Sequence, residues 1–186
     1  MRIIAGNRKG KKINIPYDNK TRPLRDLVKE SIFNLIEHSN KFNTSILNSN
    51  ILDLFSGSGS FGLECYSRGA KFITFIENYP VALKVLKKNI MVLEATNYCK
   101  IIESNCFEYF KIDKNLKDKF DIIFLDPPYK ESKINYLIDK IKDDKLLGDN
   151  GVIIIHRNKK DNLKITSKLN ILDIRNYGIS KIVIGN

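Results

Sequence analysis

From residue 49 onward, short runs of β-branched and aromatic residues alternate with segments of helical spacing, and few folds accommodate that alternation. NILDLF (50–55) precedes a helix over about 60–68, and FITFIE (72–77) precedes one over about 80–93. CKIIES (99–104) leads into a short helix, and FDIIFL (120–125) into a helix near 133–142. GVIIIH (151–156) is followed by a polar, lysine-rich crossing. The last two runs, 169–176 and 179–185, are separated only by Tyr177 and Gly178, the signature of a tight hairpin. The prediction is an α/β fold: a mostly parallel seven-stranded sheet with helices on both faces and an antiparallel C-terminal hairpin. In such sheets ligands collect at the carboxyl ends of the strands.

The segment before residue 49 reads as an extension of this core. Residues 2–15 have the pattern of a small β-hairpin turning around 7–10. TRPLRDLVKESIFNLIEH (21–38) predicts a helix with Thr21 as N-cap and Pro23 in its first turn. Its apolar residues Leu24, Val28, Ile32 and Leu35 recur at helical spacing. At 186 residues the chain is expected to be one domain, with an extension over 1–40 and a core over 49–185.

Charge narrows the partners. Thirty-two Lys and Arg against 21 Asp and Glu give a net charge of +11, which favours a polyanion through phosphate contacts. A coding bias toward Lys, Asn and Ile would produce the same excess, so charge alone does not establish nucleic-acid binding. Cys65, Cys99 and Cys106 have no CxxC spacing and read as free thiols in a reducing compartment. With two lone histidines, no metal site is expected. No long apolar segment predicts a membrane span or secretion signal, and a cytoplasmic monomer is expected.

Two motifs carry chemistry. After the first strand, DLFSGSGSFGLE places Gly57, Gly59 and Gly62 in GxGxxG spacing, where the backbone turns sharply and approaches a ligand at a helix N-terminus. A dinucleotide is the obvious guest, with Glu77 on its ribose hydroxyls. Asp53 argues against it, because a pyrophosphate there would meet a like charge. S-adenosylmethionine carries a sulfonium and an ammonium, and opposite charges at ~4 Å are worth about 4 kcal/mol at an effective dielectric of 20. Asp53 also suits a plain cap on the glycine turn, and the two roles are compatible. At the third strand's end, Asn105 is a candidate acceptor for an adenine amine and equally a helix N-cap. Phe55, Asn78 and Cys106 flank these positions and complete the candidate cofactor set, although Phe55 and Cys106 also read as core.

The second motif is Asp126-Pro127-Pro128-Tyr129 at the end of the fourth strand. A nucleobase exocyclic amine is a poor nucleophile because its lone pair is delocalised into the ring. Two acceptors on its N–H bonds, the Asp126 carboxylate and the Pro127 carbonyl, would free that pair for attack. Neither Pro127 nor Pro128 has an N–H to compete for it. Tyr129 offers a face for an unstacked base, worth roughly 1–3 kcal/mol. A rigid strand-ending turn is the competing structural reading. His156 reads as a polar strand-end residue rather than a base.

These residues resemble the class I S-adenosylmethionine-dependent methyltransferases with a Rossmann-like fold, in the amino-methylating DPPY branch. RIIAG (2–6), KKINIP, TRP (21–23), VKESIFNL (28–35), DLFSGSGSFGLE (53–64), SRGA (67–70), DPPY and YG (177–178) are similar, in order and spacing, to the bacterial 16S rRNA (guanine(966)-N(2))-methyltransferase family. The resemblance implies methylation of a guanine N2 in small-subunit rRNA. It implies a catalytic pocket of Asp126, Pro127, Pro128 and Tyr129, and a cofactor site including Asp53, Gly57, Gly59, Glu77 and Asn105. Basic residues Arg2, Arg8, Lys9, Arg22 and Arg25 are expected on the RNA side. The chain departs from the pattern at Asn105, usually Asp, at Leu24 and Leu27, and at Ile155-His156, where Glu-His is expected. Adenine-N6 methylation of DNA or RNA, and a non-catalytic RNA-binding or ribosome-assembly role, remain the alternatives.

Overall fold

A computed structural model describes residues 1–18, 24–112, 119–128, 131–162 and 164–186. Seven strands form one sheet: β1 (Asn50–Leu54), β2 (Phe72–Glu77), β3 (Cys99–Glu103), β4 (Phe120–Leu125), β5 (Leu147–Asn158), β6 (Ile171–Tyr177) and β7 (Ser180–Gly185). The order across the sheet is β3-β2-β1-β4-β5-β7-β6. The first five strands run parallel, and β7 is antiparallel to both β5 and β6. The hairpin turn is Gly178-Ile179 rather than Tyr177-Gly178. Tyr177 is the last residue of β6 and pairs with Ser180, and Gly178 takes φ +58°.

Burial on both faces explains why the strands are nearly continuous apolar runs. Ile51, Ile73, Phe75, Ile122, Phe124, Val152, Ile154, Ile182 and Ile184 join one core with α1 (Asp26–His38), α2 (Ser60–Ser67) and α3 (Pro80–Val92). The alternate residues, such as Leu52, Ile76, Ile123, Leu125 and Ile155, pack under α4 (Cys106–Ile112) and α5 (Ile134–Asp143). A stack of rings ties α1 to the sheet through α2: Phe33 to Phe61 at 5.2 Å between centroids, and Phe61 to Phe124 at 4.0 Å. Gly62 permits this closeness, since a Cβ there would stand 2.4 Å from the Phe75 ring.

The N-terminal segment forms the short antiparallel hairpin expected: Arg2 bridges Lys12, Ile3 N donates to the Lys11 carbonyl at 2.9 Å and Ile13 N to the Met1 carbonyl at 3.0 Å, and Gly10 N donates to the Ile3 carbonyl at 2.9 Å where the chain turns. The hairpin is in turn tied to α2. Ile4 and Ala5 donate to the two oxygens of the Glu64 carboxylate on α2, at 2.8 and 2.9 Å. Helix α1 starts at Asp26, not at 21–23. Arg25 is its extended N-cap residue, and the expected cap Thr21 lies outside the described residues along with Pro23. The buried face of α1 is Val28, Lys29, Ile32, Phe33 and Ile36, with Leu35 only partly covered.

Lys29 and Glu64 are both fully buried, Nζ lying 3.5 Å from Oε2. Lys29 also donates to the Arg2 carbonyl at 2.9 Å, and Arg68 Nε donates to Glu64 at 3.0 Å. Burial lowers the Lys29 pKa, against the pull of Glu64 and Asp26. Removing one member of such a pair strands the other charge. Glu64→Ala is expected to lower the unfolding free energy by about 3–5 kcal/mol in urea denaturation. A loss below about 1 kcal/mol would show that the pair is dispensable.

Candidate active site

Side chains alternate across a strand, so residue parity decides which ones share a face. Asp53, Glu77, Asp126, His156 and Ser180 all hold the parity of the α1–α3 face, at or just beyond the edge of the sheet where β1, β2, β4 and β5 end and β7 begins. The glycine loop and α2 emerge from the same edge.

Each glycine of the loop has its own reason. Gly57 adopts φ +55°, and a Cβ there would meet only the Phe55 carbonyl at 4.0 Å, so the loop leaves open space on that side. Gly59 is the N-cap of α2 at φ +78°, and a Cβ would stand 2.4 Å from Leu86 of α3. Phe55 takes φ +61°, a conformation a non-glycine residue rarely adopts and one that marks functional loops. Its ring tilts against Phe107 at 6.0 Å.

Three carboxylates converge here, held in three different ways. Glu77 is buried and accepts three backbone N–H groups: Gly57 on Oε2 at 2.7 Å, and Asn78 and Tyr79 on Oε1 at 2.9 and 2.8 Å. It therefore braces the glycine loop and retains about one of its four lone-pair positions for a ligand. Asp53 is 1% exposed and accepts from Gly62 N at 3.0 Å, so it does cap the glycine turn. Burial pushes its carboxyl well above the ordinary range; the Gly62 N–H opposes the shift, and the charges of Asp126 and Glu77 reinforce it. Among the described residues no lysine or arginine pairs with any of the three. A cationic guest would supply the missing charge, and the open side of Gly57 gives it room; the residues present fit S-adenosylmethionine.

Among the described residues, no backbone N–H donates to Asp126. Its Oδ1 lies 2.8 Å from His156 Nδ1, and His156 Nε2 lies 2.9 Å from Ser180 Oγ. Among the described residues, Oδ2 and the Pro127 carbonyl have no hydrogen bond. The two acceptors expected for an amine are thus uncommitted and adjacent in the chain. Pro127 is buried and Pro128 exposed, while Tyr129 lies outside the described residues. Arg157, 4% exposed, reaches the same loop from the other face of β5. Its guanidinium donates to the Pro128 carbonyl at 3.3 Å and the Glu131 carbonyl at 3.0 Å, and it is itself held by Asp161.

The other expected residues are placed as follows. Asn105 caps α4, its Oδ1 accepting from Phe107 N at 2.8 Å, which leaves the amide nitrogen and a second lone pair to a ligand. Asn78 is exposed beside Glu77. Cys106 is buried and its thiol is pushed up to about 12 by desolvation, so it is inert near neutrality. All three cysteines are free. Arg2, Lys9 and Arg25 are exposed. Arg8 is committed within the fold, donating to the Leu93 carbonyl at 3.1 Å and pairing with Glu94 at 2.9 Å. Arg22 lies outside the described residues.

Sequence reasoning passed over Asn89 and Arg157 and undervalued His156. Buried Asn89 of α3 uses its full amide: Oδ1 accepts from Asn14 N and Nδ2, and Nδ2 donates to the Asn14 and Ser58 carbonyls. It clips the N-terminal segment to the glycine loop. Arg157 was hidden in a polar stretch. His156 could have been found by aligning β4 with β5, since Leu125 pairs with Ile155 and the next residues are Asp126 and His156.

The whole chain, residues 1–186, matches the family described as Conserved hypothetical protein 95. It is 32% identical over 180 residues to ribosomal RNA small subunit methyltransferase D of Haemophilus influenzae, covering 96% of this chain and 90% of that one. It is 36% identical over 161 residues to the protein of that name from Buchnera aphidicola of the pea aphid Acyrthosiphon pisum, covering 87% and 80%. A solved Escherichia coli structure, described as a candidate methyltransferase, superposes with a TM-score of 0.83 at 26% identity, covering 100% and 96% of the two chains.

Asp53→Asn keeps an acceptor for Gly62 N–H and removes a buried charge. Because the folded-state pKa is raised, the native protein holds its proton longer than the unfolded chain. Wild-type stability therefore falls as pH rises from the ordinary aspartate value of 3.8 toward the raised one. The variant is expected to melt higher than wild type at pH 7, by a margin that shrinks toward pH 4, yet to bind S-adenosylmethionine more weakly by calorimetry. A variant that melts lower at pH 7 would mean that the charge is not a burden on the fold.

Proposed function

The chain belongs to the Conserved hypothetical protein 95 family, and on that premise we propose that it is an S-adenosylmethionine-dependent methyltransferase of small-subunit rRNA, acting on a guanine exocyclic N2 amine. The observation that carries this reading is the pair of acceptors, Asp126 Oδ2 and the Pro127 carbonyl, that no described residue uses, beside a buried acidic glycine-loop site.

The cofactor supplies a methyl group made electrophilic by its sulfonium. Asp53, Glu77 and the glycine loop hold it, with Asn105 at the edge available to its base. Asp126 and Pro127 accept the two N–H bonds of the amine, which lets the nitrogen pyramidalise and aims its lone pair in line with the methyl carbon. The cofactor's sulfur would leave with the electrons of its bond to the transferred methyl, and the amine would shed one proton to Asp126 or to water. Tyr129, by its place in the sequence, supplies a face for the unstacked base. Guanine N2 lies on the Watson–Crick edge, so the target base must be unpaired or flipped out.

The exposed basic residues Arg2, Lys9, Lys11, Lys12 and Arg25 serve phosphate contacts in this reading. Lys9→Ala and Arg25→Ala are each expected to weaken rRNA binding at low salt and to reduce the slope of log affinity against log salt by about 1. An unchanged slope removes that residue from the interface.

The direct test is tritiated methyl transfer from S-adenosylmethionine into small subunits lacking the modification, followed by nucleoside analysis. Wild type is expected to yield N2-methylguanosine and Asp126→Ala to lose at least about 100-fold in kcat. N6-methyladenosine would keep the pocket and overturn the guanine assignment. No transfer with cofactor still bound would favour a role in subunit assembly.

A further inference from the structure

Asp126 is held unlike its two carboxylate neighbours. Asp53 and Glu77 are fixed by one and three backbone N–H groups, whereas among the described residues the Asp126 carboxylate is held by a single side chain. That side chain is His156, 6% exposed and gripped from both sides of β5: by Asp126 just past the end of β4, and by Ser180 at the start of β7. Nδ1 of His156 stands at hydrogen-bond distance from Oδ1 of Asp126, and in the tautomer that carries its proton on Nδ1 the imidazole donates to that oxygen. A hydroxyl both donates and accepts, so the Ser180 contact survives either ring state.

We propose that His156 is a positioning residue of the methyl-transfer site: its Nδ1–H fixes Oδ1 of Asp126 and thereby turns Oδ2 to the amine, while Ser180 keeps the imidazole in that plane. The inference rests on the role given to Asp126 above. A carboxylate pivots about its Cβ–Cγ bond, a broad and shallow torsion. With no donor on Oδ1, the acceptor for the amine would be spread over many angles. Misplacement of a reacting group by about 1 Å can cost ~100-fold in rate without weakening binding.

The antiparallel β7 is what makes the arrangement possible. A parallel strand in that place would bring its end, not its beginning, to the edge where β4 and β5 finish. Running antiparallel, β7 delivers its first residue there, and Asn158 pairs with Ser180 two residues beyond His156. Asp126, His156 and Ser180 have the same face parity, so all three side chains meet without crossing the sheet.

The test compares His156→Ala, His156→Asn and His156→Gln in the full-length protein, with small subunits as substrate and cofactor binding measured separately. An Asn amide nitrogen stands where Nδ1 does; a Gln amide reaches the Nε2 position instead. His156→Ala is expected to lower kcat by about 10- to 100-fold, with KM for subunits and cofactor affinity within about twofold of wild type. His156→Asn should recover most of the lost kcat and His156→Gln should not. If His156→Ala fails to fold, the Asn and Gln pair still decides. Wild-type kcat in His156→Ala, a loss confined to KM, or equal losses in Asn and Gln would overturn the proposal. Should wild type itself transfer no methyl group, the proposed function fails first. The pairing is then read by nitrogen-15 NMR of labelled histidine: a protonated Nδ1 whose signal shifts in Asp126→Asn supports it, and an unshifted signal overturns it.

Discussion

The Glu64 carboxylate organises the half of the molecule that the sheet does not. It lies in the middle of α2, fully buried, and takes the N–H groups of Ile4 and Ala5, the Arg68 guanidinium and, at slightly longer range, the Lys29 ammonium. Isolated charges at that depth would cost several kcal/mol each, and only the density of donors makes the site tolerable. The consequence is positional. Helix α2 begins at the glycine loop, so whatever docks on α2 is fixed relative to that loop. The N-terminal segment docks so closely that a Cβ on Gly6 would sit 1.8 Å from the Ser67 carbonyl oxygen. Asn89 repeats the device farther along, binding Asn14 and the loop carbonyl of Ser58 with one amide. An arm carrying Arg2, Lys9, Lys11 and Lys12 is thereby held to the loop assigned to the cofactor, by contacts that a free polycationic tail would lack.

The three carboxylates at the edge of the sheet show how the surroundings divide labour among identical groups. Glu77 receives three backbone N–H groups and acts first as a brace, turning a strand end into part of the loop wall. Asp53 has one such donor and is buried with two like charges nearby, so its ionised form is disfavoured. Asp126 has no backbone donor among the described residues, and only one of its oxygens is engaged by them. The same functional group is thus held in three different ways, and the number of backbone N–H groups aimed at it sets the difference.

Most of the fold was legible because strands buried on both faces cannot be other than apolar, and their ends are marked by the residues that break them. Every predicted strand lies within two residues of an observed end, except that β5 begins at Leu147 and the final turn shifts by one residue. The N-terminal hairpin was legible from its alternation and its turn, and its arms do pair. Its docking was not, because the N–H groups of Ile4 and Ala5 find a carboxylate sixty residues away that no local pattern announces. For α1, Thr21 and Pro23 gave a textual start signal, yet the helix begins at Asp26, and Lys29 lies on its buried face because Glu64 is there to meet it. At the candidate site, Asp53, Glu77 and Asp126 were readable from strand ends. The dual nature of Asn105 was also readable, its cap role being the one made within the chain. His156 was undervalued because its meaning lies in a register between strands thirty residues apart.

The end of β5 shows why that register matters to chemistry. Consecutive residues of a strand point to opposite faces, so His156 and Arg157 approach the loop after β4 from two sides. His156 fixes the carboxylate of Asp126, while Arg157 binds the carbonyls of Pro128 and Glu131 on either side of residues 129 and 130. Each holder is itself held, His156 by Ser180 and Arg157 by Asp161. A proline-rich loop limits the backbone torsions, but it leaves the carboxylate free to turn and the loop free to tilt as a body. Those two freedoms are the ones the pair removes. A reaction that depends on aiming a weak nucleophile gains from removing them, because misplacing a reacting group by about 1 Å can cost ~100-fold in rate. A packed central strand, rather than the loop itself, is the element stiff enough to do it.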